Sequence, residues 1–172
     1  MLEVEIKSPC AEPDGMRKRL AVLGAARTES RVDRDLYYNH PVRDFAKTDE
    51  AVRIRSIGDR HYLTYKGPKL STKTKSRVEE EVSIADPETG RNILSALSFT
   101  EVLLVEKKRE VYKLNDIEIC LDTIEGLGSF VELEVMTDDQ QKGEEKLFAL
   151  AGQLGLTEFL NTSYLEMLLG EK

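Results

Sequence analysis

Apolar and polar residues alternate with a period of two along much of this chain. Residues 2–7, LEVEIK, alternate aliphatic and charged side chains and predict a strand, because successive strand side chains point to opposite faces. Pro9 ends it. Pro13 and Asp14 open a helical pattern with Met16, Leu20, Val22 and Leu23 as its apolar stripe and Gly24 as its stop. Residues 31–39, 51–57 and 61–66 predict three more strands, the last two joined by a hairpin turn at Gly58 and Asp59. Residues 67–76 are polar, basic and broken by Gly67 and Pro68, which predicts a loop. A strand over 77–84 follows, then a helix capped by Asp86 that reaches Leu97. A long strand over 100–114 turns at Asn115 and Asp116 into 117–124, and Gly126 and Gly128 turn that into 129–136. Helical periods over 143–155 and 161–170, the second capped by Asn161 or Thr162, close the chain. With no long repeat and no linker, this order predicts one α+β domain over residues 1–172, a largely antiparallel sheet or barrel with helices around it.

The charged positions sort by face. Residues i and i+2 of a strand lie about 6–7 Å apart on one side. Glu3 shares a face with Glu5 and Lys7, Glu79 with Glu81, and Glu132 with Glu134. Asp35 lies with Asp33 and Tyr37, Asp122 with Cys120 and Glu118, Arg53 with Arg55, Thr64 with Lys66, and Lys107 with Arg109. The opposite faces are often aliphatic, as at Val4 and Ile6 or Val131, Leu133 and Val135. For one strand alone, the ordinary reading is an apolar face on the core and a charged face in water. A solvated face usually mixes signs, however, whereas here several strands carry one sign each. Helices also need an apolar sheet face to pack on. The set therefore predicts charged faces turned inward, lining a hydrated channel. Its acidic rows would hold a divalent cation through oxygen and its basic rows a polyanion.

Composition narrows the partners. A net charge of −7 argues against broad nucleic-acid binding, which needs a basic surface. No apolar run approaches the ~20 residues that span a bilayer, so no membrane association is expected. The N-terminus shows no basic start followed by an apolar region, so no secretory signal is expected. Cys10 and Cys120 have no metal or redox spacing, and a cytoplasmic location is expected. A homodimer is left open. Gly126 and Gly128 precede a strand and read as a turn rather than a dinucleotide motif. His61 beside its hairpin reads as exposed, His40 as either a loop cap or a contact to a base, and Lys69, Lys73 and Lys75 as either a basic lid or a solvated loop.

Glu3-Val4-Glu5-Ile6-Lys7 matches the ExExK signature of the CYTH, or triphosphate tunnel metalloenzyme, superfamily. The resemblance continues through Asp35-Leu36-Tyr37-Tyr38, Arg53-Ile54-Arg55, Leu63 to Pro68, Lys107-Lys108-Arg109, Leu121-Asp122 and Phe130 to Glu134, and so covers nearly the whole chain. It implies an eight-stranded antiparallel β tunnel, closed as a barrel, with surrounding helices. It implies Mg²⁺ or Mn²⁺ held by Glu3, Glu5, Asp122, Glu132 and Glu134. It implies a triphosphate clamp of Lys7, Arg53, Arg55, Lys66, Lys107 and Arg109, supported by Asp35, Glu79 and Glu81. Tyr37 and Lys66 resemble a catalytic pair that activates water in triphosphatases of the superfamily. The segment Tyr38 to Phe45 resembles the class IV adenylyl cyclase branch, which converts ATP to cyclic AMP and pyrophosphate. His40 is followed directly by Pro41, a departure from that branch's His-Phe-x-x-Pro element. Inorganic or thiamine triphosphate hydrolysis is the alternative activity, and non-catalytic binding of polyphosphate or nucleotide the third.

Overall fold

The period-two segments pair with one another in the computed structural model, which describes residues 2–70 and 74–170. In chain order the elements are β1 (Leu2–Pro9), α1 (Pro13–Val22), β2 (Ala26–Asn39), α2 (Phe45–Thr48), β3 (Ala51–Ile57), β4 (Arg60–Lys66), β5 (Glu79–Ile84), α3 (Pro87–Ala96), β6 (Thr100–Leu114), β7 (Ile117–Ile124), β8 (Gly128–Thr137), α4 (Gln140–Leu154) and α5 (Tyr164–Leu169). The strands form one antiparallel eight-stranded sheet in the order β1-β8-β7-β6-β2-β3-β4-β5. The sheet curls into a half-barrel. The expected closure into a barrel has no β1–β5 ladder behind it among the described residues. The edges approach instead through an isolated bridge between Glu3 and Arg77 and through the Lys75 amide, which donates to the Glu5 carbonyl at 2.9 Å.

The aliphatic faces point outward under helices. Val4, Ile6, Ile119, Leu133 and Val135 meet Met16 and Leu20 of α1 and Leu147, Leu150, Ala151 and Leu154 of α4 in the largest core. A second core places Phe45 and Leu94 against Val52 and Ile54, and a third places Tyr164 against Val105, Ile124 and Phe130. Val22, expected in the stripe of α1, is exposed, because Met16 and Leu20 at i and i+4 already define the buried face. Gly143 lets α4 lie close to the sheet: a Cβ there would come within 2.9 Å of Thr137 Cγ2 and 3.0 Å of Val4 Cγ2. Gly143→Val is accordingly expected to destabilise the fold by about 1–3 kcal/mol through overpacking, read as a lower urea midpoint at unchanged slope.

Several boundaries differ from the sequence expectation. β2 begins at Ala26 rather than Arg31, because the long β6 supplies pairing partners as far as Lys113. β5 begins at Glu79, since Arg77 is taken up by the bridge to Glu3. α4 begins at Gln140, where the Asp139 side chain accepts from the Lys142 amide. The cap of α5 is Ser163, not Asn161 or Thr162, through a capping box with Glu166. No described helix is long and apolar enough to cross a membrane.

Candidate active site

The charged strand faces do turn inward. They line a cavity of about 460 Å³ inside the curl. Lys7, Arg53, Arg55, Lys107, Arg109, Asp35, Asp122, Glu5 and Glu132 are all buried. Strand register explains how so much charge is tolerated there. Asp33 lies opposite Lys107, Asp35 opposite Arg55, Asp122 opposite Arg109, and Lys66 opposite Glu79. Opposite charges directly across a ladder stabilise the pairing, and like charges oppose it. Two rows break the rule: Arg31 faces Arg109, and Glu134 faces Glu5 on one side and Glu118 on the other.

The pairs fall into two grades. Arg55 holds Asp35 through two hydrogen bonds of 2.6 and 2.7 Å, and Arg109 holds Asp122 in the same way at 2.7 and 2.6 Å. Arg109 also reaches Glu132. Burial disfavours the Asp35 carboxylate, but Arg53 and Arg55 outweigh it and hold the group far below the usual carboxylate range. Asp122 accepts from the Tyr164 hydroxyl at 2.9 Å as well, so both of its oxygens are engaged away from the Glu5 row. The sequence expectation placed Asp122 among metal ligands; its geometry is that of an anchor for Arg109.

The other cations lack such a two-bond fork. Arg53 lies 3.5 Å from Asp35 and 3.8 Å from Glu79, and its Nε has no acceptor. Lys107 comes no closer than 3.9 Å to Asp33 and lies 5.5 Å from the Tyr164 ring centre. Lys7 is 3.4 Å from Glu132 and 3.6 Å from that same ring. Burial, with Lys75 beside it, lowers the Lys7 ammonium to about 7. Lys66 sits 2.5 Å from Glu79 and 3.2 Å from Glu3. Burial and Arg53 oppose its charge, yet Glu3, Glu79 and Glu5 prevail and hold it well above an ordinary lysine. Lys66 is thus a fixed cation. Tyr37, its expected catalytic partner, lines the cavity and faces Arg53 across β2–β3. Glu81 is exposed at the rim, where it accepts from Thr64 at 2.9 Å.

The carboxylates separate likewise. Oxygens of Glu5, Glu132 and Glu134 lie within 4.8 Å of one another. Glu3 stands apart from this trio, bound to Lys66. Burial, reinforced by Glu3 and Glu5, pushes the Glu134 carboxyl up to about 8. Burial also raises Glu3, to about 7. By contrast Lys7, Arg109, Lys75 and Lys107 overcome the burial of Glu132 and hold it well below the ordinary range.

Three participants lay outside the sequence-derived site. Tyr164 reaches the cavity from α5, Arg31 lines it from β2 and pairs with Asp33 at 2.8 Å, and Arg77 lines it beside the bridge to Glu3. No charge alternation marks Tyr164; the only signal was its place at the start of a short terminal helix. Of the proposed basic lid, Lys69 pairs with Asp49 at 2.8 Å, Lys75 is buried in the cavity, and Lys73 lies outside the described residues. His40 is a loop cap, its Nδ1 accepting from the amides of Val42 and Arg43. His61 is half-buried rather than exposed, its Nδ1 2.9 Å from Ser56 Oγ.

Comparison with known proteins agrees with this architecture. A protein of Methanocaldococcus jannaschii, named as a candidate adenylate cyclase, is 39% identical over 172 residues, covering 97% of this chain and 98% of its own. Adenylate cyclase CyaB of Aeromonas hydrophila is 29% identical over 162 residues, covering 90% of this chain and 81% of its own. A solved structure from Pyrococcus horikoshii OT3 superposes with a TM-score of 0.91 at 38% identity, covering 99% of each chain. The family model described as the CYTH domain matches residues 1–164, and this chain belongs to that family.

Proposed function

We propose that this protein is a divalent-metal-dependent phosphoryl-transfer enzyme acting on a triphosphate, with ATP cyclisation to cyclic AMP and pyrophosphate as its reaction. One observation carries the reading: the Glu5–Glu132–Glu134 trio stands in the same cavity as the loosely paired cations Lys7, Arg53 and Lys107. Asp33, Asp35, Asp122 and Glu79 each face a base across a ladder. At the trio a surplus of carboxylate is left, and Glu134 is accordingly hard to ionise. An all-oxygen donor set of this kind fits a hard cation such as Mg²⁺ or Mn²⁺. When bound, such an ion would polarise a phosphoryl oxygen and help ionise the attacking hydroxyl.

The residues of the chain supply the rest. Arg53, Lys107, Lys7 and the fixed cation of Lys66 would bind successive phosphates and stabilise the charge that gathers on them during transfer. Arg55 and Arg109 hold the walls. Phe45, Ala46, Val102, Leu165 and Leu169 also line the cavity and give an aromatic base an apolar surface. The volume falls within the range of small-molecule sites, about 300–1,000 Å³. The relative names above lend the cyclase reading their support.

Hydrolysis of an inorganic or thiamine triphosphate is the second reading. It is favoured by His40, which is spent on its own loop and leaves no imidazole to select a base. Incubating the pure protein with Mg²⁺ or Mn²⁺ and, in separate reactions, ATP, tripolyphosphate and thiamine triphosphate decides between them. Cyclic AMP with pyrophosphate is the expected outcome. Orthophosphate without cyclic AMP would establish the hydrolase instead, and metal-dependent turnover of none of the three would leave only a binding role.

A further inference from the structure

We infer that Lys75 is a built-in stand-in for the divalent cation: its ammonium fills the carboxylate site, and it turns toward the phosphate chain when metal takes that place. This inference rests on the metal and triphosphate reading above. It makes metal and anion binding depend on each other through one side chain.

The geometry is specific. Lys75 Nζ lies 2.8 Å from Glu5 and 3.8 Å from Glu132, two of the three clustered carboxylates. It is buried, and its neighbours on the other side are the cationic group around Tyr164, whose ring centre is 6.0 Å from Lys75 Nζ and 3.6 Å from Lys7 Nζ. Its main chain is tied down. The Lys75 amide donates to the Glu5 carbonyl, and Thr74 Oγ1 donates to Glu144 of α4 at 3.0 Å. Exchange therefore needs only side-chain rotation, not movement of a lid.

Charge gives the direction. A dication held by Glu5, Glu132 and Glu134 would repel an ammonium sharing the same oxygens, and repulsion over a few ångströms is strong where water is excluded. The long, flexible lysine stem can then point its charge at an incoming phosphate. Without metal, the same lysine supplies a cation to the buried Glu5 and adds to those already on Glu132.

Lys75→Met tests this with two binding measurements on the intact chain that move in opposite directions. Calorimetry with Mn²⁺ alone is expected to show binding about tenfold tighter than wild type, because the competing cation is gone. Calorimetry with Mn²⁺–tripolyphosphate on Mn²⁺-saturated protein is expected to show binding weakened about tenfold, because the phosphate contact Lys75 makes once metal holds the carboxylates is gone. Lys75→Arg is expected to return Mn²⁺ affinity toward wild type. A merely structural lysine would weaken both ligands. If wild type binds both probes and the Met variant weakens both or changes neither, the inference is overturned and the functional reading stands. If wild type binds neither, the functional reading falls and the inference with it.

Discussion

Glu134→Gln is expected to raise the melting temperature at pH 8.5 while removing metal-dependent turnover. Glu134 faces Glu5 and Glu118 across its two ladders, and its nearest cation, Arg109, is 4.0 Å away. Its carboxyl is pushed up to about 8, first by burial and then by Glu3 and Glu5. In the unfolded chain a glutamate titrates near 4.3. The folded state thus binds the proton more tightly, and the stability this proton confers is complete below about pH 4.3 and lost as pH rises through about 8. Glutamine has no proton to lose, so its advantage over wild type should grow from pH 6 to pH 8.5. Each unit of difference corresponds to at most about 1.4 kcal/mol before relaxation, enough for a shift of several degrees in a chain of this size. The cost falls on function, because a neutral amide is a poor replacement for an anionic ligand. Turnover with Mg²⁺ or Mn²⁺ should fall by roughly a hundredfold or more. Added Mn²⁺ should raise the wild-type melting temperature more at pH 8.5 than at pH 6, since cation and proton compete for the same oxygens, and should barely move the variant. Melting curves at the two pH values, with and without Mn²⁺, measure all of this. A variant that is less stable at both and keeps its metal-dependent turnover would remove Glu134 from the metal site.

Most of the strand pattern was legible because strand geometry imposes its period directly on side chains. The alternation in residues 2–7 and 129–136 gave both the strands and their inward charged faces, and β6 and β7 have the bounds their patterns predict. What the period does not carry is pairing. Arg55 and Lys107 look alike in sequence, yet register sets Arg55 beside Asp35 in a tight fork and leaves Lys107 nearly 4 Å from its nearest acid. Likewise Asp122 and Glu134 are both inward carboxylates. Only the ladder shows that Asp122 meets Arg109 while Glu134 meets glutamates. The terminal helix α5 was visible as a helix, but its contribution depends on chain reversal after α4, which brings Tyr164 to Asp122 and to three lysines. Lys75 was read as part of a loop because its neighbours are polar. It is buried because the segment before β5 crosses to the edge of β1, a contact no local pattern encodes.

Arg109→Met is expected to produce the largest loss of stability of any single substitution in the cavity. Its guanidinium forks onto Asp122, reaches Glu132, and lies 3.9 Å from Asp33 and 4.0 Å from Glu134. All five groups stand on neighbouring strands, so one side chain ties β2, β6, β7 and β8 together from inside. Methionine fills similar space but leaves Asp122 and Glu132 without their principal cation. Removing one partner of a buried pair costs about 3–5 kcal/mol, because the remaining charge is stranded away from water. For a chain of this size that lowers the melting temperature by on the order of 10 °C. Arg109→Lys should recover only part of the loss, since an ammonium restores charge but cannot fork onto Asp122 while reaching Glu132. Combining Arg109→Met with Asp122→Asn should cost less than the sum of the two single changes, because the pair is removed together. Acid supplies an independent check. Glu132 is held well below its ordinary range, so its ionic stabilisation is present above about pH 4.3 and is lost as pH falls through its lowered value. The gap between wild type and Arg109→Met should therefore narrow in urea titrations at pH 3.5 relative to pH 7. A gap below about 1 kcal/mol at pH 7, the level of an exposed surface pair, would mean that Asp122 and Glu132 find other cations. Lys7 and Lys75, the nearest lysines to Glu132, would then be the ones that hold the interior together.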